Sequence, residues 1–367
     1  MPPLRFVLAV VLVLAVPVAG TAQTDDPGSL DALMRAQAAA NAGAGPRKVP
    51  GRDIPVPREG VSAAIRPQIA APYAGNFAAA PRSAEDWKAF AAPVAEASAR
   101  DIPGLAAMLG VSVEPTSIAG VKAYVLTPKA IAPANRDRLA LHVHGGGYVL
   151  YGGLGGTGEG VIMAGLGGIK VISVDYRMPP DFPYPAALDD CMAVWRETIK
   201  TVRPQNVGLI GTSTGGGLVL AMALRARDEK GPLPGAVAAG TPWADLSKTG
   251  DSYFTNEWLD NVLVTWDGWL GKAALLYAGG HDLKEPYLSP IYGDFAGLPP
   301  TILTTGTRDL FLSNTVRVHR KLRRAGVEAD LNVYEGLSHA GFIDPGAPEG
   351  REAFLDIARF FDRHLGP

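Results

Sequence analysis

The sequence predicts an α/β protein with a mostly parallel, doubly wound central sheet. Three observations carry that expectation. Short apolar, often β-branched runs alternate with helix-patterned stretches along most of the chain, which is the pattern of a sheet covered by helices on both faces. Glycine-rich turns fall where several of those runs end, as at the strand ends of such sheets. The composition is globular, with 47% hydrophobic and 19% charged residues among 367. That length allows one large domain with a lid or two medium domains.

The N-terminus reads as a targeting segment. Arg5 is a short positive region, Phe6 to Val18 an apolar run, and Gly20-Thr21-Ala22 supplies small residues before the polar Gln23-Thr24-Asp25-Asp26. This predicts a secretory signal peptide over residues 1–22, cut near Ala22, and a periplasmic or secreted mature protein. The alternative, an uncleaved anchor, would need a longer apolar run. No Cys directly follows the run, which argues against a lipid anchor, and no later segment suggests a membrane in the mature form. A net charge of −2 without basic blocks gives no reason to expect nucleic acid. Cys191 is the only cysteine, so no intramolecular disulfide can form; its helix-like setting suggests a small buried residue.

Residues 23–110 are expected to form a flexible, Ala-, Pro- and Gly-rich segment and part of a cap, with short helical pieces from Ala84 to Leu109. The core is expected over residues 111–244 and 291–367. Its strands are Val121 to Leu126, Leu139 to Val143, Lys170 to Val174, Asn206 to Ile210, Ala236 to Ala239, Thr301 to Thr305 and Ala329 to Val333. Its helices are Ala186 to Val202, Gly215 to Asp228, Asn314 to Ala325 and Arg351 to Leu365. Residues 245–290 break the alternation, hold Trp258, Trp266 and Trp269, and are expected to form a cap insertion. The run Gly152-Gly153-Leu154-Gly155-Gly156 is expected to be a mobile rim.

Two glycine-rich turns point to chemistry. Gly211-Thr212-Ser213-Thr214-Gly215-Gly216 lies between a strand and a helix. A sharp strand-to-helix turn there lifts the Ser213 hydroxyl above the sheet edge, with a helix N-terminus behind it. His144-Gly145-Gly146-Gly147 follows the strand that ends at Val143. Its bare backbone N–H groups can hold an oxyanion, with the N–H of Thr214 as a further donor. His144 itself is expected to orient this loop. A serine hydroxyl needs a base, and the base needs a carboxylate. His339, on a loop just after a strand, is the candidate base, ahead of His281, His319 and His364. Asp309, at a strand end, is the candidate acid; Glu335 is its main rival, with Asp282 and Asp344 weaker.

Taken in order, the motifs resemble the hormone-sensitive-lipase-like esterases of the α/β-hydrolase superfamily. They are His144-Gly145-Gly146-Gly147, Asp175-Tyr176-Arg177, Pro183-Tyr184-Pro185-Ala186-Ala187-Leu188-Asp189-Asp190 and the Ser213 elbow. Pro242-Trp243-Ala244-Asp245-Leu246, Ser289-Pro290, Gly297-Leu298-Pro299-Pro300 and the Asp309 and His339 segments continue the series. The resemblance implies an α/β-hydrolase fold, with a helical cap made from the N-terminal segment and residues 245–290. It implies hydrolysis of short- to medium-acyl esters through Ser213, His339 and Asp309, with Gly146, Gly147 and Thr214 as oxyanion donors. It implies no cofactor and no metal. The expected partner is a small-molecule ester, and a homodimer stays open. Thr214, where many members carry Ala, is expected to narrow the acyl pocket. A lactone hydrolase, an amidase or peptidase, and a non-catalytic small-ligand binder remain as alternatives.

Overall fold

In a computed structural model, the structure describes residues 51 and 53–367. The segment read as a signal peptide lies outside them. The chain divides into two units, Met1–Asp53 and Ile54–Pro367, and the second holds every element below.

Eight strands form one sheet in the order β1-β2-β4-β3-β5-β6-β7-β8. They are β1 (Val111–Ile118), β2 (Val121–Pro128), β3 (Leu139–Val143), β4 (Lys170–Val174), β5 (Val207–Thr212), β6 (Ala236–Gly240), β7 (Thr301–Gly306) and β8 (Ala329–Tyr334). β1 pairs antiparallel with β2, and β2 antiparallel with β4. Every other neighbouring pair is parallel. This is the α/β-hydrolase fold the motifs implied.

Side-chain alternation along the strands builds the two faces. In β3, Leu139, Leu141 and Val143 join one core cluster, while Ala140 joins the other. The first cluster packs under the helices Ala186–Thr198, Thr214–Asp228 and Leu312–Arg324, and the second under Gly158–Gly167 and Pro348–His364. Phe354, Phe360 and Phe361 of the last helix are buried, each stabilising the fold by roughly 1.5–3 kcal/mol.

Three expectations need correction. β1 was not foreseen: its Glu114-Pro115-Thr116-Ser117 stretch is exposed and polar, which an edge strand tolerates, Pro115 included. The region read as short helical pieces is one helix, Ala84–Leu109, running through Pro93 and Pro103. Ser83 and Asp86 form a reciprocal capping box at its start. The glycine run expected to be a mobile rim is half-buried at Gly152 and borders a cavity through Gly155 and Gly156, but it is also ordered into secondary structure. It forms a tight turn, Gly153–Thr157, leading into the unforeseen helix Gly158–Gly167. A Cβ at Gly155 would press on Ala95 and Ser98 of the long helix, so glycine permits the close approach.

Residues 245–290 contain no strand. They hold the helices Ser252–Thr255 and Trp269–Ala278. The insertion bonds to the N-terminal segment: Asn261 Nδ2 donates to the carbonyls of Gln68 (2.9 Å) and Ala71 (3.0 Å). The Ala74 N–H donates to the Asn261 carbonyl at 3.0 Å. Tyr73, Phe77 and Trp258 pack edge to face beside these bonds. No helix among the described residues is long and apolar enough to cross a membrane.

Candidate active site

The carboxyl ends of four parallel strands deliver the candidate residues to one edge of the sheet: Gly145, Gly146 and Gly147 after β3, Ser213 after β5, Asp309 after β7 and His339 after β8. Parallel strands do this because all of their C-termini point the same way. A cavity of about 580 Å³ opens there. Gly145, Gly146, Gly147, Thr212, Ser213 and His339 line it, with Leu150, Ile162, Leu263, Trp269 and Leu270 among its apolar walls. Ala74 and Asn76 of the N-terminal segment and Val262 of the insertion also reach it.

Ser213 sits at φ 63°, ψ −123°, just before the helix Thr214–Asp228. A non-glycine residue there carries strain of roughly 1–3 kcal/mol, and the surroundings must hold it. They do so through the backbone. The Ser213 N–H donates to the Gly240 carbonyl (2.9 Å), and its own carbonyl accepts from the N–H groups of Gly217 (3.0 Å) and Trp243 (2.9 Å). A Cβ at Gly215 would collide with the Val143 carbonyl, so the elbow lies against the β3 loop only because that position is glycine.

The structure brings His339 and Asp309 together. His339 Nδ1 donates to Asp309 Oδ1 at 2.9 Å, both side chains being buried. The same oxygen accepts from the Phe311 N–H (2.9 Å), and Oδ2 accepts from Thr305 Oγ1 (2.7 Å). His339 Nε2 is buried and has no hydrogen-bond partner among the described residues. Phe311 presses its edge on the imidazole at 4.8 Å between centroids. Glu335 and Asp282 are exposed, and Asp344 is half-buried. His281 is exposed, while His319 and His364 lie on helices away from the cavity lining.

Gly145, Gly146 and Gly147 donate their N–H groups to no backbone carbonyl among the described residues. His144 braces their loop. Its Nδ1 meets the Gly145 carbonyl at 2.7 Å, and its ring stacks on Tyr176 at 4.2 Å. Burial pulls the His144 imidazole down to about 4, so it stays neutral near neutral pH. The Tyr176 hydroxyl donates to the His144 carbonyl (2.9 Å). Thr214 is fully buried and does not line the cavity. Its branched side chain therefore does not narrow the pocket, contrary to the expectation. Cys191 is buried in the core, where desolvation pushes its thiol well above the ordinary range.

Two buried acids were not singled out in the sequence. Glu159 lines the cavity and accepts from Thr212 Oγ1 (2.6 Å); its other oxygen pairs with His142 Nε2 (3.2 Å), whose Nδ1 meets Ser173 Oγ (2.9 Å). Asp260, fully buried in the insertion, accepts four backbone N–H bonds. Neither lies in a recognisable motif. Glu159 opens an unforeseen helix, and two of the four partners of Asp260, Leu310 and His339, come from loops distant in the chain. Among the described residues, no group of three or more His, Cys, Asp or Glu side chains is disposed to hold a metal ion.

Residues 140–343 match the family described as alpha/beta hydrolase fold. An acetyl-hydrolase of Streptomyces hygroscopicus is 32% identical over 240 residues, 65% of this chain and 79% of that protein. The crystal structure of an esterase designated E25 superimposes with a TM-score of 0.82 at 42% identity, covering 88% of this chain and 99% of that one. The crystal structure of an esterase from the bacterial hormone-sensitive lipase family gives 0.66 at 29% identity, covering 75% and 99%.

Proposed function

The chain belongs to the α/β-hydrolase-fold family, in its hormone-sensitive-lipase-like esterase branch, and from that premise we propose that it cleaves short- to medium-acyl esters through Ser213, His339 and Asp309. It is a carboxylic ester hydrolase, as its relatives are, so the reading as a non-catalytic binder falls away. The observation that supports the residue roles best is the state of the imidazole. One nitrogen donates to a buried carboxylate, while the other is unpartnered on the cavity that Ser213 lines. That arrangement fixes the tautomer with the acceptor nitrogen free for a hydroxyl proton.

The reaction then runs as an acyl transfer. Ser213 Oγ attacks the ester carbonyl while its proton passes to His339 Nε2. The carbonyl oxygen becomes an oxyanion, held by the N–H groups of Gly146, Gly147 and Thr214, with Gly145 keeping the loop against the elbow. Each oxyanion donor is worth about 10²–10³ in rate. Collapse expels the alcohol, which takes the proton from His339 and leaves an ester on Ser213. Water enters, gives its proton to His339, and releases the acid by the same steps in reverse order. The apolar walls of the cavity suit an acyl chain; its volume of about 580 Å³ favours short and medium lengths.

The test is hydrolysis of p-nitrophenyl butyrate by the wild type and by Ser213→Ala, with fluorophosphonate labelling beside it. The expected result is a fall in kcat of about 10⁴-fold or more and loss of labelling. Activity that survives the substitution would overturn the mechanism. A series of linear esters and lactones run on the wild type sets the acyl length.

A further inference from the structure

The insertion does more than roof the cavity. Its stretch from Ser252 to Asn261 is bonded to both loops that carry Asp309 and His339. Ser252 Oγ donates to the Leu310 carbonyl at 2.8 Å. Asn256 Nδ2 donates to the carbonyls of Thr307 (3.1 Å) and Asp309 (2.8 Å). The Asn261 N–H donates to Ser338 Oγ at 3.2 Å. Asp260 is the centre of this strap. Its Oδ1 accepts from the N–H groups of Val262 (2.9 Å) and Leu263 (3.1 Å), which fixes its own turn. Its Oδ2 accepts from the N–H groups of Leu310 (2.8 Å) and His339 (3.3 Å). One carboxylate oxygen thus bridges the residue after Asp309 and His339 itself.

We propose that Asp260 is a positioning residue for ester hydrolysis, holding the acid loop and the base loop in register from the insertion, with Asn256 securing the acid loop from its carbonyl side. The proposal rests on the reading of Asp309 and His339 as acid and base.

The chemistry of the four contacts supports it. All four partners of Asp260 are donors, and a carboxylate is acceptor-only. An amide in its place would turn an NH₂ group toward two N–H groups. Such charge-assisted bonds are stronger and shorter than neutral ones, which suits a device that must hold two loops to within a fraction of an ångström. The charged groups that face Asp260 are Asp309, on the loop after β7, and His339, on the loop after β8. Desolvation and the Asp309 charge push the Asp260 carboxyl up to about 6, against the pull of His339 and the backbone N–H groups. Above that pH both oxygens accept. Below it, a proton occupies one oxygen and the strap loses an acceptor. A charge kept beside another carboxylate, out of water, does not stabilise the fold by itself.

The test is steady-state kinetics of Asp260→Asn and Asn256→Ala on p-nitrophenyl butyrate across pH 5–9, with near-UV circular dichroism to establish folding. Asp260→Asn is expected to lower kcat about 10-fold or more with KM within about 2-fold. It is also expected to move the acidic limb of kcat/KM to lower pH: the carboxylate that attracted a proton to the site is gone, and so is its own titration. Asn256→Ala is expected to lower kcat several-fold with the limb in place. A folded Asp260→Asn enzyme with wild-type kcat, or one whose limb does not move, overturns the proposal. If Asp260→Asn does not fold, full kcat in Asn256→Ala overturns it. Ser213→Ala in the same series separates the two levels. Activity surviving there brings down the underlying mechanism and this proposal with it. A dead Ser213→Ala beside a wild-type-like Asp260→Asn sinks this proposal alone.

Discussion

Asp309 and Glu335 both follow strands and both precede or flank His339 in sequence, yet they occupy different physical worlds. Asp309 is fully buried and meets the imidazole, a backbone N–H and the Thr305 hydroxyl. Glu335 is exposed, where water screens its charge. Asp309→Asn is therefore expected to lower kcat by about 10³–10⁴-fold, since an amide presents the wrong partner to Nδ1, while Glu335→Gln stays within about 2-fold of wild type. Kinetics on a short-chain p-nitrophenyl ester checks both, and the reverse ranking would move the acid to Glu335. Sequence order singled out Ser213, His339 and Asp309 because each sits on a loop at a strand end, a local pattern. It gave no hint of Glu159 beneath Thr212, or of Asp260 beneath Leu310 and His339, because those partners are about fifty residues away or more. Only packing brings a helix start under the elbow, or an insertion against two loops.

Glycine decides how closely the site's elements approach. Gly147 has φ 63°, and the indole of Trp269 from the insertion lies where its Cβ would be. Gly147→Ala is expected to strain the backbone and push Trp269 off the loop of residues 145–147. Steady-state kinetics and thermal melting should show kcat lowered at least about 10-fold and stability reduced by about 1–3 kcal/mol. Unchanged kinetics would mean that the indole is not a fixed wall. Two of the helices misread in the sequence share a physical cause. Pro93 and Pro103 argue for breaks in the helix Ala84–Leu109, but its contacts with the Gly153–Thr157 turn hold it in one piece. The helix Gly158–Gly167 is rich in glycine, which lowers local propensity, yet it is buried against the second core cluster. Tertiary packing overrode propensity in both.

On the scale of the whole molecule, the C-terminal edge of the sheet carries the candidate residues, and segments outside the sheet help to line the cavity beside them. Residues 54–82 carry no strand, but Gln68, Ala71 and Ala74 tie them to Asn261, and Ala74 and Asn76 reach the cavity. A chain beginning at Arg82, which keeps the Ser83 capping box, is expected to lose this roof. Its kcat/KM for butyrate esters should fall at least about 10-fold, and its preference among acyl lengths should flatten. A series of p-nitrophenyl esters measures this, and wild-type selectivity in the shortened chain would show that the roof takes no part.

The sequence by itself determined the parallel α/β architecture and the edge to which the glycine loop, Ser213, Asp309 and His339 are carried. Strand periodicity and the common direction of parallel strands are enough for that. Tertiary structure alone decided that Glu335 stays exposed while Asp309 is buried against His339, that Thr214 is buried outside the cavity lining, and that Asp260 reaches both loops. Those outcomes depend on how distant segments pack, and a buried hydrogen bond between them leaves no periodic trace in the chain.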